Sequence, residues 1–238
     1  MAVSTPSFAV QDYTKAIYAL EQRKAGAVST NALAERLGVS AASVSAMIKK
    51  LDGLGLVRHA PYHGVALTED GVRLALEVLR HHRLLERFLT EVLGMSWDRV
   101  HAEAEVLEHV LSEELEALIA AKLGDPTHDP HGDPIPSAEL MIDEAATAAL
   151  GDLEPGARGV FTRVSDSDPA MLRWLEQRQI SLGDRVEIVD KQPFGGPVFA
   201  RFSASSTVHP LGVELAAAMR VAATTTSDAA IKMAGELV

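Results

Sequence analysis

Val28-Ser-Thr-Asn-Ala-Leu-Ala-Glu-Arg-Leu-Gly-Val-Ser-Ala-Ala-Ser-Val-Ser-Ala-Met-Ile-Lys-Lys-Leu51 decides how this 238-residue chain is read. Ser29 or Thr30 caps a helix over Asn31 to Leu37, which Gly38 ends, and Ser40 caps a second helix from about Ala41 to Leu51. Leu33, Leu37, Val39, Val44, Ile48 and Leu51 supply the small core of a helix-turn-helix. The second helix then presents Ser40, Ala41, Ala42, Ser43 and Ser45, side chains small enough to let it lie deep in a DNA major groove. Ser29 and Thr30, which open the first helix, are further DNA-binding candidates, and Lys49 and Lys50 follow where phosphates would lie. The stretch Gly55-Leu-Val-Arg58-His59, a turn at Tyr62-His63-Gly64 and the return Val65-Ala-Leu67 form the pattern of a β-hairpin wing. Arg58, His59 and His63 are its candidate phosphate contacts. A plain helical hairpin would not need the Leu-Gly-Leu-Val exit and the hairpin after it. Base preference is not legible, because Ala46 and its neighbours carry no large readout side chain.

Working outward, Gln11 to Gln22 has helical spacing around Ile17 and Leu20. Thr68 caps a long helix to about Leu93, with Gly71 inside it. Ser96 opens another, carrying Val100, Ala104, Leu107 and Leu111; Ser112 restarts it and Gly124 ends it. Asp125 to Pro136 holds four prolines and cannot be helical, and Ser137 to Leu150 reads as one more helix or a linker. From about Glu154 the period changes to two: Gly159 to Val164, Arg185 to Val189 and Val198 to Phe202 are strands, with a short helix over Asp168 to Gln177. The expected fold class is α+β, mainly α. The expected domains are a winged helix-turn-helix over residues 1–74, a helical domain and linker over 75–150, a small β-barrel over 151–222, and a flexible tail over 223–238.

The formal net charge of -11 is unevenly spread. Residues 1–75 hold eight Lys/Arg against six Asp/Glu, and the remainder holds fourteen against twenty-seven. A mildly basic unit joined to an acidic one suits a DNA-facing part and a carboxylate-rich part. Cysteine is absent, so disulfides and thiolate ligands are excluded, which fits the cytoplasm. No apolar run long enough to span a bilayer and no signal-peptide pattern is present, so no membrane association is expected.

His101-Ala-Glu-Ala-Glu-Val-Leu-Glu-His109 is the second informative stretch. On a helix, Glu105, Glu108 and His109 share one face, with His101 one turn earlier. His82 and Glu86 form a further i, i+4 pair, and Asp12 begins the first helix. Carboxylates with imidazole and no thiolate suit Mn2+ or Fe2+, while Co2+ and Zn2+ also bind such donors. The bland alternative, a solvated charged face, does not account for four ligand-type residues on a helix that must also bury leucines. Enzyme signatures are missing: there is no His-Glu-x-x-His, no Glu-x-x-His pair, no Gly-x-Ser-x-Gly elbow and no phosphate loop. The cluster Asp129-Pro-His131-Gly-Asp133 reads as a turn-forming linker.

Together these residues resemble the diphtheria-toxin-repressor and manganese-transport-regulator family, in its longer form with a C-terminal FeoA-like, SH3-like domain. The resemblance is carried by Gln11-Asp-Tyr13 with Ile17-Tyr18, the winged helix, Arg80 to Phe88, His101 to His109, and Asp129 to Pro136. It implies a non-enzymatic homodimer that binds palindromic double-stranded operator DNA when metallated and represses metal-uptake genes. It implies a primary metal site of Asp12, Glu105, Glu108 and His109, and an ancillary set of His82, Glu86, His101 and Asp168. The iron-sensing branch has methionine at the position of Asp12 and cysteine at that of Glu105; the carboxylates here match the manganese-sensing branch. Lys15 departs from that branch, which has a glutamate there, and Met171 stands where iron-type members tend to have glutamine. A Mn2+-dependent repressor is therefore expected, with an Fe2+-dependent repressor or a metal-buffering protein as alternatives. The accompanying expectation is that, without metal, the primary-site carboxylates repel one another.

Overall fold

The computed structural model describes residues 6–23, 26–60, 64–204 and 206–223. They form two compact units that interleave along the chain rather than following one another. The first comprises the chain up to Phe88, Ala102–Thr127 and Ile135–Ile142. The second comprises Leu89–His101, His128–Pro134 and the chain from Asp143. Three consecutive domains and a tail were expected from the sequence; by compactness, two short pieces of the middle region group with the β-rich unit.

The first unit opens with α1 (Phe8–Arg23), α2 (Thr30–Leu37) and α3 (Ala41–Gly53). Ser29 caps α2 by accepting from the Ala32 N–H, and Gly38 closes it at φ 64°, a left-handed conformation that costs glycine little. Ser40 caps α3 by accepting from the Ser43 N–H. The hairpin follows as β1 (Val57–Ala60) and β2 (Gly64–Leu67), antiparallel with Val57 opposite Leu67. Val10, Tyr13 and Ile17 of α1 share one buried cluster with Leu33 of α2 and with Val44, Ile48 and Leu51 of α3. Each fully buried aliphatic side chain there contributes about 1.5–3 kcal/mol. Then comes α4 (Glu69–Glu91). A Cβ on its Gly71 would lie 2.0 Å from the Leu56 carbonyl oxygen, so only glycine lets the helix start this close to the wing. A second cluster joins Leu84 and Leu85 of α4 to Ala104 of α5 (Val100–Leu107) and to Ile119 and Ala120 of α6 (Glu113–Lys122).

The second unit is built on a six-stranded antiparallel sheet in the order β3-β8-β4-β5-β6-β7. The strands are β3 (Ala148–Ala149), β4 (Arg158–Val164), β5 (Arg185–Lys191), β6 (Val198–Phe202), β7 (Val208–Leu211) and β8 (Met219–Ala223). Its core includes Phe161 edge-on to Phe202, with Leu172 and Leu175 from α7 (Pro169–Glu176) and Leu215 from α8 (Val213–Ala218).

Of the two alternatives for Ser137 to Leu150, the linker is found: Ser137 to Thr147 forms neither helix nor strand, and a single 3-10 turn follows at Leu150–Asp152. Other expectations change. β7 escaped notice because Pro210 interrupts the apolar alternation; it is tolerated because β7 is an edge strand. α8 and β8 lie in an alanine-rich stretch whose strand pattern shows only once β8 is paired between β3 and β4. Ala223, the first residue of the expected flexible tail, therefore belongs to the sheet, and the rest of that tail lies outside the described residues. The Asp129–Asp133 segment is a tight turn: the Asp129 carboxylate accepts from the His131 N–H at 2.8 Å and the Asp133 N–H at 2.9 Å.

Candidate metal centre and DNA-reading helix

The recognition helix is built by its cap and its buried face. With Val44, Ile48 and Leu51 turned inward, α3 leaves Ala41, Ala42, Ser43, Ser45, Lys49 and Lys50 exposed, and Ser40 is exposed at its cap. All three of these hydroxyls are already engaged locally: Ser40 Oγ lies 2.9 Å from Ser43 Oγ, and Ser45 Oγ donates to the Ala41 carbonyl. Ser29 is exposed and Thr30 half-buried at the start of α2. Arg58 is exposed on β1, and His63 lies outside the described residues.

The metal candidates gather where α1 meets the turn that joins α5 to α6. α5 ends at Leu107, so Glu108 and His109 sit in the turn and not on the helical face expected for them. Glu108 still keeps the helical bond from its N–H to the Ala104 carbonyl, at 2.9 Å, before the chain breaks toward the Ser112 cap of α6. That break rotates His109 toward α1. Its Nε2 lies 3.0 Å from Asp12 Oδ1 and 3.7 Å from Glu108 Oε1. Asp12, Glu108 and His109 each offer a ligand atom within 4.8 Å of the others. Glu105 belongs to an overlapping group with His82 and Glu108.

These carboxylates do not stand in open repulsion, as the charge pattern alone suggested. Lys15 Nζ donates to Glu105 Oε1 at 2.8 Å and to Glu108 Oε1 at 2.5 Å. The other oxygen of Glu108, Oε2, lies 2.5 Å from His82 Nδ1, and His82 Nε2 faces the buried Glu86 at 3.1 Å. Burial alone pushes the His82 imidazole down. The Glu86 charge and the hydrogen bonds to Glu108 and Glu86 outweigh it, raising the pKa to about 9, so His82 is an imidazolium at neutral pH. Burial likewise opposes the charge on Lys15, and Glu108 with Glu105 more than restores it. Asp12 is shifted upward, chiefly by its own burial.

Four residues outside the expected set support this cluster. Gln11 Oε1 lies 2.6 Å from His109 Nδ1, and Phe8 stacks on the same imidazole at 4.7 Å. His81 spans from the Glu108 carbonyl oxygen, 3.0 Å from its Nδ1, to Glu116 Oε2, 2.9 Å from its Nε2. Gln11 lies in the Gln11-Asp-Tyr13 stretch that carries the resemblance, but an uncharged side chain there gave no sign of a role beside a metal site. Glu116 lacked any signal, being one carboxylate among several on an acidic helix.

The ancillary set divides between the two units. His82 and Glu86 lie in the first. In the second, His101 Nδ1 is 2.8 Å from Asp166 Oδ2. Asp168 instead caps α7, accepting from the Ala170 N–H at 2.8 Å. Met171 is half-buried on α7.

The donor chemistry fits a divalent cation, since the buried Glu108 carboxylate, the partly exposed Asp12 and Glu105 carboxylates and an imidazole converge, and Lys15 already compensates two of them. A second feature adjoins it. Val106 of α5, Val110 of the turn and Leu118 of α6 are each more than 60% exposed. Among the described residues, no helix is long and apolar enough to cross a membrane.

Comparison with known proteins matches this layout segment by segment. Residues 7–65 match the iron-dependent repressor N-terminal DNA-binding domain, residues 68–137 the iron-dependent repressor metal-binding and dimerisation domain, and residues 148–223 the FeoA domain. The diphtheria toxin repressor of Corynebacterium glutamicum is 34% identical over 192 residues, 76% of this chain and 83% of that protein. The iron-dependent repressor IdeR of Mycobacterium tuberculosis is 39% identical over 152 residues, 61% of this chain and 66% of that protein. A manganese-dependent transcriptional repressor solved in complex with manganese superposes with a TM-score of 0.86 at 42% identity, over 90% of this chain and all of that one. ScaR with bound Zn2+ gives 0.78 at 26% identity, over 92% of this chain and all of that one. With its DNA-binding, metal-binding and FeoA segments in the same order, this chain belongs to the iron-dependent repressor family, that of the diphtheria toxin repressor.

Proposed function

We propose that this protein is a Mn2+-dependent transcriptional repressor that binds a palindromic operator as a homodimer in the cytoplasm and switches off metal-uptake genes. The carrying observation is the meeting of Asp12 with Glu108 and His109. Asp12 lies on α1, whose Val10, Tyr13 and Ile17 share a core with Val44 and Ile48 of the recognition helix. Glu108 and His109 lie in the turn, between the exposed Val106 and Val110 of the segment that matches the metal-binding and dimerisation domain. Ligands thus come from both the DNA-reading side and the dimerisation side. Asp12, Glu105, Glu108 and His109 would hold the ion, which when bound supplies two positive charges among three carboxylates.

The chain's own residues then do the rest. Packing of α1 against α2 and α3 carries any movement of Asp12 to the exposed serines of α3. In a homodimer the two recognition helices address half-sites about one DNA turn apart only at one relative spacing. Moving that equilibrium from mostly unfit to mostly fit takes roughly 5.5 kcal/mol of differential affinity. The ancillary set of His82, Glu86, His101 and Asp168 rests on the resemblance; the His101–Asp166 pair favours Asp166 over Asp168 as the carboxylate that works with His101.

The preference for manganese rests on Asp12 and Glu105, oxygen donors where softer ones would favour other ions. An Fe2+-dependent repressor is the second reading, supported by the relatives named for iron; Co2+ and Zn2+ suit the same donors. The test is operator binding by fluorescence anisotropy, titrated with Mn2+, Fe2+, Co2+ and Zn2+, for the wild type and the Asp12→Met/Glu105→Cys variant. Mn2+ should tighten binding by the wild type most, and the variant should lose that preference. Operator binding indifferent to every metal would leave a metal-buffering protein instead.

A further inference from the structure

We infer that Lys15 is a tethered cation of the primary site, and that metal binds only by displacing its ammonium from Glu105 and Glu108. This inference rests on the proposed metal site. Lys15 lies one helical turn after Asp12, so α1 points both toward the same cluster. Its side chain is largely buried, and its Nζ bridges Glu105 Oε1 and Glu108 Oε1. Glu108 is fully buried, and its second oxygen faces His82. Both oxygens of the central carboxylate are therefore engaged, one by the Lys15 ammonium and one by the His82 imidazole, before any metal arrives.

A buried carboxylate without a counter-charge is strongly disfavoured, and the ammonium removes that penalty. It thereby stabilises the metal-free arrangement and weakens metal binding by the same amount. Lysine suits this exchange: a compact charge on a flexible four-carbon stem can swing to solvent still protonated, freeing Glu108 Oε1. Arginine, with its planar fork, would hold the two carboxylates more firmly. The identity of the residue at position 15 thus sets the metal concentration at which the site fills.

The experiment compares Mn2+ dissociation constants by competition with a fluorescent chelator, and melting temperatures of the metal-free protein, for full-length wild type, Lys15→Met, Lys15→Gln and Lys15→Arg. The neutral variants should bind Mn2+ roughly tenfold to a hundredfold more tightly, the equivalent of one charge-assisted hydrogen bond removed from the metal-free side. Their metal-free melting temperatures should fall, and that of the Mn2+-loaded protein should change little. Lys15→Arg should bind Mn2+ more weakly than wild type. Unchanged or weaker Mn2+ binding by a folded Met or Gln variant would overturn the inference, as would equal melting losses with and without metal. If Lys15→Met does not fold, Lys15→Gln and Lys15→Arg decide by the opposite signs of their effects. Wild-type Mn2+ binding that is lost in His109→Ala but indifferent to position 15 sinks only this inference. Wild-type Mn2+ binding that survives both Asp12→Ala and His109→Ala sinks the site itself.

Discussion

Gln11 holds His109 by its Nδ1, at 2.6 Å from the amide oxygen, and leaves the Nε2 of that ring turned to Asp12. An Nδ1–H donating to Gln11 fixes the tautomer whose Nε2 lone pair is available to a metal ion, in the way outer partners orient metal-binding imidazoles. Gln11→Leu should therefore weaken Mn2+ binding about tenfold to a hundredfold. Gln11→Glu, which keeps the acceptor, should preserve the ring's orientation. Chelator competition for both variants checks this, and equal affinities for wild type and Gln11→Leu would remove Gln11 from the site's support.

Lys49 and Lys50 are exposed on α3 beyond its serines. If each meets one phosphate, Lys49→Ala and Lys50→Ala should each reduce the slope of log affinity against log salt by about one, with a similar loss on operator and unrelated DNA. Anisotropy titrations at several salt concentrations give the slope. A loss confined to the operator would instead assign these lysines to base reading.

Val106, Val110 and Leu118 are large apolar side chains exposed in the segment that matches the metal-binding and dimerisation domain, which makes them candidate dimer contacts. Leu118→Glu should weaken self-association by about 2 kcal/mol or more, the loss expected when an interface anchor is replaced. Sedimentation velocity over a concentration series would show the shift toward monomer. A sedimentation profile identical to wild type would place the dimer contact elsewhere.

Glu21 gives a pH test away from the metal ligands. It accepts from the Leu67 N–H at 3.1 Å, tying α1 to the wing, and burial raises its carboxyl above the ordinary 4.5. A raised carboxyl favours the protonated form in the fold, so stability falls as pH climbs from 4.5 through the higher folded value. Glu21→Gln keeps an acceptor for Leu67 and removes the charge. It should raise the melting temperature at neutral pH, and the difference should vanish below pH 4.5. Thermal melts across about pH 4 to 8 that showed the variant no more stable at neutral pH would contradict the assignment.

The helix-turn-helix was legible because its signals are local. A serine cap, a glycine exit and a 3.6-residue apolar period act within one or two turns, and Ser29, Gly38 and Ser40 stand at the positions those local signals require. The candidate ligands could likewise be named, since few residue types bind hard cations. Their arrangement could not. Whether Glu108 ends a helix or starts a turn depends on how the Ser112 cap competes with continuing α5, and periodicity is blind to that. Lys15 read as a mere departure from a family pattern, because its meaning needs two carboxylates more than eighty residues further along the chain.

The amino-acid order alone determined that this protein carries a DNA-reading unit, an acidic helix with metal-type donors and a β-rich end, because composition and short-range spacing encode each of these. Only the tertiary structure decided which donors meet, that His101 pairs with Asp166 while Asp168 caps a helix, and that lysine and histidine cations already occupy the carboxylates. Those outcomes depend on long-range packing, where an ångström of displacement separates a contact from its absence.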